Sequence, residues 1–217
     1  MNTIVRIAHS DDHQYAALIA DEMNLSASKR GTGISLRTPE YIIEKIDSGL
    51  AVIALNADSK EWIGFCSIEV WDHQRYIANT GLIISSKYRG NGFSKDIKEK
   101  LFDLERKQFP RSTIFSLTTC PAVIHINAAL GYKRVNFGEV MSDPWFHQGC
   151  HSWVNYVELM RKGPESGYVA MVYVPEEEAA LLPLWGSRLL GKLKRLRKSK
   201  RAHAGQRQLV PQLAINR

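Results

Sequence analysis

The chain has 217 residues, 44% of them hydrophobic, which is enough for one substantial core and argues for one domain rather than two. No apolar stretch suits a membrane-spanning helix, and acidic residues come too early for a signal peptide. Three cysteines are too few for a disulfide framework, so we predict a cytoplasmic protein. Of the 29 basic residues, ten follow Trp185, and no acidic residue lies among them, so the net charge of +7 belongs to this C-terminal segment. The rest of the chain has 19 basic and 22 acidic residues, which gives no support to general nucleic-acid binding.

Hydrophobic periodicity predicts strands and helices in mixed order along the chain. Ser10 and Thr38 suit helix N-caps, and Pro39 suits the first position of a helix. A strand, two helices, an antiparallel meander and then alternating strands and helices indicate a mixed α/β fold. The predicted strands cover residues 3–8, 50–55, 62–71, 76–85, 112–118, 132–137, 153–160 and 168–174, and the predicted helices lie at 10–23, 38–48, 97–109, 121–130 and 176–180.

Residues 88–94, Tyr-Arg-Gly-Asn-Gly-Phe-Ser, connect a predicted strand to a predicted helix. Gly90 and Gly92 permit left-handed backbone and the close approach of a ligand. The first N–H groups of a helix attract anions, and Arg89 and Lys95 add positive charge. The spacing fits neither a dinucleotide-binding fingerprint nor a Walker loop. We therefore interpret the segment as a pyrophosphate cradle; an ordinary strand–helix turn is the alternative.

The same segment resembles the Arg/Gln-x-x-Gly-x-Gly/Ala motif of the GNAT superfamily of acyl-CoA-dependent N-acetyltransferases. A second match is residues 127–132, Asn-Ala-Ala-Leu-Gly-Tyr, and the resemblance covers roughly residues 3–140. It implies a mixed, mostly antiparallel central sheet flanked by helices, followed here by a basic C-terminal tail. It also implies acetyl-CoA as the acyl donor, and no metal.

The resemblance assigns coenzyme contacts along one strand and the loop that follows it. Backbone groups of residues 82–84 would pair with the pantetheine arm, as a peptide strand would. Backbone N–H groups of residues 89–94 would hold the pyrophosphate, and a separation from the strand at 112–118 would admit the arm. The residues so assigned are Leu82, Ile83, Ile84, Arg89, Gly90, Asn91, Gly92, Phe93, Ser94 and Asn127.

Two positions depart from the family's pattern. Ser94 stands where the motif has Gly or Ala, and its small side chain should preserve the site. Asn127 stands where the family often has a Tyr that protonates the leaving thiolate, and Cys120 stands where it usually has an upstream Asn. An Asn can bind the coenzyme or a water but cannot donate a proton as Tyr does. Solvent or Tyr132 could protonate the thiolate, and Tyr132 is alternatively a core residue.

An attacking amine must lose a proton, which calls for a carboxylate or histidine acting directly or through water. The strand that leads into the loop has no acidic residue, but the neighbouring strand carries Glu69 among apolar residues. We favour Glu69 as the base or as the residue that holds a water. Solvent exposure or pairing with a surface lysine is the alternative, and Asp72 and His73 are weaker candidates at the next turn.

The resemblance places the acceptor against the connection between the first two helices. Arg30 and Arg37 flank a glycine-rich turn there, and arginine forks suit carboxylates. Asn79 and Thr80 could fix the substrate or a water. The sequence is also similar to bacterial acetyltransferases assigned to amino acids, glutamate included, which favours an amino-acid acceptor. A polyamine or protein amine, with the arginines as solvated loop charges, stays open.

Cysteine and histidine form two further candidate sites. His147, Cys150 and His151 resemble a metal cluster, but structural zinc usually takes four ligands, so a packed or substrate-lining segment is favoured. Cys120 would need an adjacent base to carry an acyl group. His125 is near in sequence, but direct transfer is the simpler interpretation.

A folded domain is predicted over residues 1–180 and a basic tail over residues 181–217. Trp185 and the leucines at 189, 193 and 196 can form one apolar helical stripe among basic residues. The tail could contact anionic lipid at a membrane, nucleic acid or an acidic protein; a solvated tail or a helix packed on its own domain is the alternative. A homodimer is also compatible with the sequence.

Three functions follow from these patterns. The first is an N-acetyltransferase that acts on an amino acid or another small amine by direct attack. The second is a catalytically weak acetyl-CoA-binding module, which Asn127 keeps open. The third is an acetyltransferase that its tail directs to protein or membrane-associated amines.

Overall fold

The computed structural model describes residues 1–30, 37–71, 73–136 and 167–176. The chain divides into two units, residues 1–175 and 176–217, and the strands and α-helices of the described ranges belong to the first. Several predicted features lie outside the described residues: the strand at 153–160, the cluster of His147, Cys150 and His151, Asp72, the side chain of Arg30, the boundary after residue 180 and the basic tail.

The described strands form one mixed sheet in the order β1-β2-β3-β4-β5-β7-β6. All neighbours are antiparallel except β4 and β5, which are parallel. The predicted mixed, mostly antiparallel sheet is therefore confirmed. The strands are β1 (Thr3–Ile7), β2 (Ala51–Asn56), β3 (Trp62–Trp71), β4 (Tyr76–Ile84), β5 (Thr113–Thr118), β6 (Lys133–Arg134) and β7 (Val169–Tyr173).

Four described α-helices cover the sheet: α1 (Ala16–Arg30), α2 (Pro39–Asp47), α3 (Phe93–Gln108) and α4 (Pro121–Ala129). Thr38 caps α2 as predicted, since its hydroxyl accepts a hydrogen bond from Tyr41 N at 3.3 Å. A 3-10 turn, Ser10–Tyr15, precedes α1, so the predicted helix start at Ser10 is not α-helical. No helix in the described ranges is both long and apolar enough to cross a membrane.

Each face of the sheet has its own apolar core. One core lies under α1 and α2 and includes Ile42, Phe65 and Ile83, and the other lies under α3 and includes Ile77 and Leu101. Burying each such side chain contributes roughly 1.5–3 kcal/mol. Because successive residues of a strand alternate between faces, neighbouring polar residues of β4 are directed into different environments.

Candidate functional site

Strands β4 and β5 diverge at the middle of the sheet. They pair only from Tyr76–Thr113 to Ala78–Phe115, while β4 continues to Ile84 and β5 to Thr118. Gly81, with φ of +67°, lies at an irregularity in the pairing of β4 with β3, and such bulges bend a strand. The result is a gap between two parallel strands, at the position predicted from the resemblance.

The loop after β4 opens helix α3 with two left-handed glycines. Gly90 has φ of +83° and Gly92 has φ of +86°, and a Cβ atom added at either would meet nothing within 4 Å. Gly92 is the N-cap of α3 and has no side chain to cap the helix. Since helix α3 begins directly at Phe93, four residues before its predicted start, its first N–H groups lie in the loop. This arrangement suits an anion.

The charged side chains of the loop are engaged with the protein itself. Arg89 Nε donates to Ile84 O at 3.1 Å and its Nη2 donates to Glu22 Oε1 at 2.7 Å, which ties the loop to α1. Lys95 Nζ lies 3.7 Å from Glu99 on the next turn of α3. An anion at this loop would therefore meet backbone N–H groups more than the Arg89 guanidinium, whose charge is paired with Glu22.

Five side chains form what we call the α2-face cluster: Arg37, Tyr41, Lys45, Glu69 and Thr80. Lys45 Nζ donates to Glu69 Oε2 at 2.8 Å, and the Tyr41 hydroxyl donates to Glu69 Oε1. Arg37 Nη2 donates to Thr80 Oγ1 at 2.9 Å. Burial and the nearby Glu69 carboxylate raise the pKa of Tyr41, so its hydroxyl remains a donor. The structure thus brings together three predicted residues and adds Tyr41 and Lys45.

Arg37 is held firmly but keeps donor capacity. Its backbone N–H donates to Asn24 Oδ1 at 3.1 Å, and Asn24 Nδ2 donates to its carbonyl at 3.0 Å. Its guanidinium carbon lies 4.1 Å from the centroid of the Tyr41 ring. Arg37 is 9% exposed as a whole residue, and its Nε is buried with no hydrogen-bond partner within the described ranges. Guanidinium groups suit anions, but an anion would have to displace neighbouring groups to reach this Nε.

Asn79 lies apart from the other predicted substrate residues. With Lys98, Glu105 and Tyr132 it forms what we call the α3-face cluster. The side-chain oxygen of Asn79 accepts from Lys98 Nζ and, at 3.2 Å, from the Tyr132 hydroxyl. Its Nδ2 donates to Glu105 Oε1. Adjacent residues Asn79 and Thr80 therefore belong to opposite faces of the sheet.

Burial controls protonation in the α3-face cluster. Lys98 is 2% exposed and Glu105 is 0% exposed. Loss of hydration raises the pKa of Glu105 to about 8 and lowers the pKa of Lys98. Burial, with the Glu105 charge nearby, raises the pKa of Tyr132 well above its ordinary value. The Tyr132 phenol thus lies in the interior and holds its proton tightly.

The remaining candidates lie around α4. Asn127 is buried, and its Nδ2 donates to Ser116 Oγ on β5 at 2.8 Å. Cys120 is exposed at the N-cap of α4, and His125 is exposed on that helix. Cys66 is buried, which raises the pKa of its thiol to about 12. In the part of the chain that the structure describes, no three His, Cys, Asp or Glu side chains are grouped to hold a metal ion.

The sequence contained signals for the residues that were missed. Tyr41 and Lys45 are four residues apart on α2, which places them on one face of the helix. Lys98 and Glu105 fall within the apolar stripe of α3, beside Ile97, Leu101 and Leu104. A charged residue inside an apolar stripe predicts a buried partner.

No protein-family model and no curated protein matches the sequence. Solved structures do match the fold. A Sinorhizobium meliloti phosphinothricin acetyltransferase of the GNAT superfamily, in complex with AcCoA, has a TM-score of 0.55 at 14% identity over 88% of this chain and 99% of that one. A Mycobacterium tuberculosis protein in complex with CoA has a TM-score of 0.54 at 16% identity over 79% of this chain and 98% of that one.

A third structure is larger than this protein. The Neisseria gonorrhoeae N-acetylglutamate synthase, complexed with coenzyme A and N-acetyl-glutamate, has a TM-score of 0.54 at 16% identity over 80% of this chain. This chain spans only 35% of that synthase chain. At these identities the likeness establishes the fold: the chain has the fold of GNAT superfamily acetyltransferases.

Proposed function

We propose that this protein is an N-acetyltransferase that moves the acetyl group of acetyl-CoA to the primary amine of an amino acid or another small molecule. The observation that carries the proposal is the divergence of β4 and β5 beside the left-handed glycine turn that opens α3. The similar folds solved with CoA or AcCoA support it.

The described residues fit coenzyme A at two places. The open space over Gly90 and Gly92, with the first N–H groups of α3, suits a pyrophosphate. The edge of β4 from Asn79 to Ile84 has no pairing with β5, so its backbone groups can bind an extended amide-containing arm. Acetyl-CoA supplies an activated thioester, and the chain supplies the position at which an amine meets it.

The α2-face cluster is the acceptor site that we propose. Glu69 pairs in register with Ala78, the last residue of β4 that also pairs with β5. The cluster therefore lies one strand away from the beginning of the gap. Arg37 and Lys45 give it two cations against the one carboxylate of Glu69, an excess that favours an acceptor bearing a carboxylate. Arg37 is the group that we expect to contact that carboxylate.

Glu69 is the proton acceptor that we propose, acting through a water. Each of its oxygens already accepts a hydrogen bond, from Tyr41 or from Lys45, and each carboxylate oxygen has capacity for one more. These bonds fix the carboxylate so that it can orient a water toward the amine. For the leaving thiolate we propose protonation by solvent, since Asn127 cannot supply a proton and the Tyr132 phenol is engaged in the interior.

The test is acetyl-CoA-dependent thiol release across amino acids, polyamines and peptides. We expect release with amino acids, and its loss in Gly92→Trp, whose ring would fill the cradle. Gly49→Trp is the matched control, because Gly49 also has a positive φ, +67°, but lies beside Gln108 at the far end of α3. No release with any acceptor, while acetyl-CoA still raises the melting temperature, would favour the binding module.

A second arm of the test addresses the acceptor class. Arg37→Gln should raise KM for the amino acid roughly tenfold or more without changing KM for acetyl-CoA. The exposed Arg111 gives the control variant Arg111→Gln. Release with peptides or polyamines that is insensitive to Arg37→Gln would reject an amino-acid acceptor while leaving acetyl transfer in place.

A further inference from the structure

The point where β4 and β5 separate carries a polar side chain on each strand. Ala78 and Phe115 form the last pair between these strands. Asn79 is the next residue of β4, and Ser116 is the next residue of β5. Beyond this point no main-chain ladder joins the two strands, so the width of the gap depends on other contacts.

A series of hydrogen bonds connects these two residues around the gap. The Tyr132 hydroxyl donates to Asn79 Oδ1 at 3.2 Å, and Tyr132 N donates to Asn127 O at 3.0 Å. Asn127 Nδ2 then donates to Ser116 Oγ at 2.8 Å. The series runs from β4 through the residues at and after the end of α4 to β5.

Two charged residues of α3 fix the β4 end of this series. Lys98 donates to the carboxamide oxygen of Asn79, and Glu105 accepts from its nitrogen, so both ends of the amide are held. The surroundings are otherwise apolar, with Ile77, Leu101 and Met171 in the same core. Burying an ammonium and a carboxyl here is costly, and an apolar core would support the sheet without them.

The packing of the Tyr132 ring does not depend on its hydroxyl. It contacts Phe102 and Tyr173 with centroid separations of 5.9 Å each. The Tyr173 hydroxyl makes no hydrogen bond to the described part of the chain. The hydroxyl of Tyr132 thus adds a directed bond to Asn79 of β4 from an aromatic ring that would pack without it.

We propose that the series Asn79–Tyr132–Asn127–Ser116, anchored by Lys98 and Glu105, is a brace that sets the separation of β4 and β5 and thereby positions acetyl-CoA. The proposal rests on the proposed function for its ligand. Its members are positioning residues, since they act on the shape of the gap through the strands. Tyr132 therefore has a structural role in the gap in place of the proton transfer considered from the sequence.

Two variants cut the brace with small changes, and each has a matched control. Tyr132→Phe removes the hydroxyl and keeps the ring, and Tyr173→Phe makes the same change on a neighbouring ring. Ser116→Ala removes the acceptor on β5. Ser112→Ala removes a buried hydroxyl that bonds Gln74 O immediately before the paired end of β5. Two readouts are compared: the Kd for acetyl-CoA with steady-state kinetics, and amide hydrogen exchange of residues 79–82 in the ligand-free protein.

We expect the Kd and KM for acetyl-CoA to rise roughly three- to tenfold in Tyr132→Phe and Ser116→Ala, with kcat at saturating acetyl-CoA unchanged. Exchange of residues 79–82 should accelerate in the same two variants and in neither control. The brace is rejected if each variant behaves like its control. It is also rejected if exchange accelerates equally in β1–β3, which would mean a general loss of stability, or if kcat falls while Kd is unchanged, which would make Tyr132 a proton donor.

The two readouts separate this proposal from the proposed function. Wild-type protein that neither binds nor consumes acetyl-CoA would reject the acetyltransferase assignment. The exchange comparison would still decide the brace, because it is made without any ligand. Conversely, normal acetyl transfer in both brace variants would reject the brace and leave the enzyme.

Discussion

The two polar clusters of the sheet are built from similar residues but differ in what surrounds them. The α2-face cluster keeps one carboxylate partly exposed, at 21% of its side chain, and an arginine donor without a partner in the described ranges. The α3-face cluster has its lysine and glutamate buried under α3. The first has a carboxylate that solvent and a ligand can reach, although the unpartnered arginine nitrogen is itself buried. The second is shielded from solvent, and its hydrogen bonds fix the positions of the residues around it.

The largest effect on stability is expected from removing one charged residue of the α3-face cluster. Lys98→Met should lower the free energy of unfolding by roughly 1–3 kcal/mol, because the buried carboxamide oxygen of Asn79 loses a donor. The double variant Lys98→Met/Glu105→Leu should be more stable than Lys98→Met, since it also removes the buried carboxyl that has lost Lys98 as its neighbour. Urea unfolding measures both.

The exposed pair on the other side of α3 provides the control for that comparison. Lys95→Met/Glu99→Leu should change stability by less than about 1 kcal/mol, because surface ion pairs contribute little. Additive losses at positions 98 and 105 would contradict the view that the two buried groups depend on each other.

Substitutions in the α2-face cluster should change the catalytic rate more than the stability. Glu69→Gln is expected to lower kcat by roughly two orders of magnitude, since general bases typically contribute that much or more, while the Kd for acetyl-CoA persists. Glu44→Gln, at an exposed glutamate of α2, is the control. Thiol-release kinetics and calorimetry provide the two measurements, and an unchanged rate would remove Glu69 from the mechanism.

The α3-face cluster should also make the stability of the protein depend on pH. The folded protein keeps the Glu105 proton up to a pKa of about 8, whereas the unfolded chain loses it near 4.5, so the folded state binds more protons between these values. Stability due to this group is therefore lost as pH rises, by roughly 1–3 kcal/mol between pH 5 and 7. The lowered pKa of Lys98 gives the opposite slope at pH values below the ordinary lysine value of 10.5.

Melting temperatures at several pH values in wild type and Glu105→Gln would measure this dependence. The stability of Glu105→Gln relative to wild type should increase from pH 5 to pH 7, because the amide has no proton to release. A difference that stays constant over this range would contradict the raised pKa of Glu105.

Local sequence signals predicted the parts of this fold that local interactions determine. Thr38 and Pro39 marked the start of α2, and Gly90 and Gly92 marked the turn that opens α3. The mixed antiparallel sheet followed from element order and from the family resemblance. The start of α3 was placed too late because Phe93 and the charged residues after it obscure the first turn of an amphipathic helix.

The arrangement of the side chains depends on contacts between distant segments, which periodicity does not encode. Asn79 and Thr80 are both predicted to fix the substrate or a water, yet strand geometry separates them into two clusters. Glu69 was assigned without its partners Tyr41 and Lys45, which lie 28 and 24 residues away in sequence. The tertiary pairing that decides the chemistry of each residue became visible only in the structure.

The smallest expected effect concerns Arg89, where the sequence and the structure give different roles to the same charge. Its guanidinium contacts Glu22 at 2.7 Å, so Arg89→Gln should weaken acetyl-CoA binding only a few-fold, by loosening the loop from α1. Glu22→Gln should then weaken binding by a similar factor, because it breaks the same contact from the other side. If Arg89 instead bound phosphate directly, Glu22→Gln would release the guanidinium and strengthen binding. The change in the calorimetric Kd of Glu22→Gln has opposite directions in these two cases, so even a few-fold change is decisive.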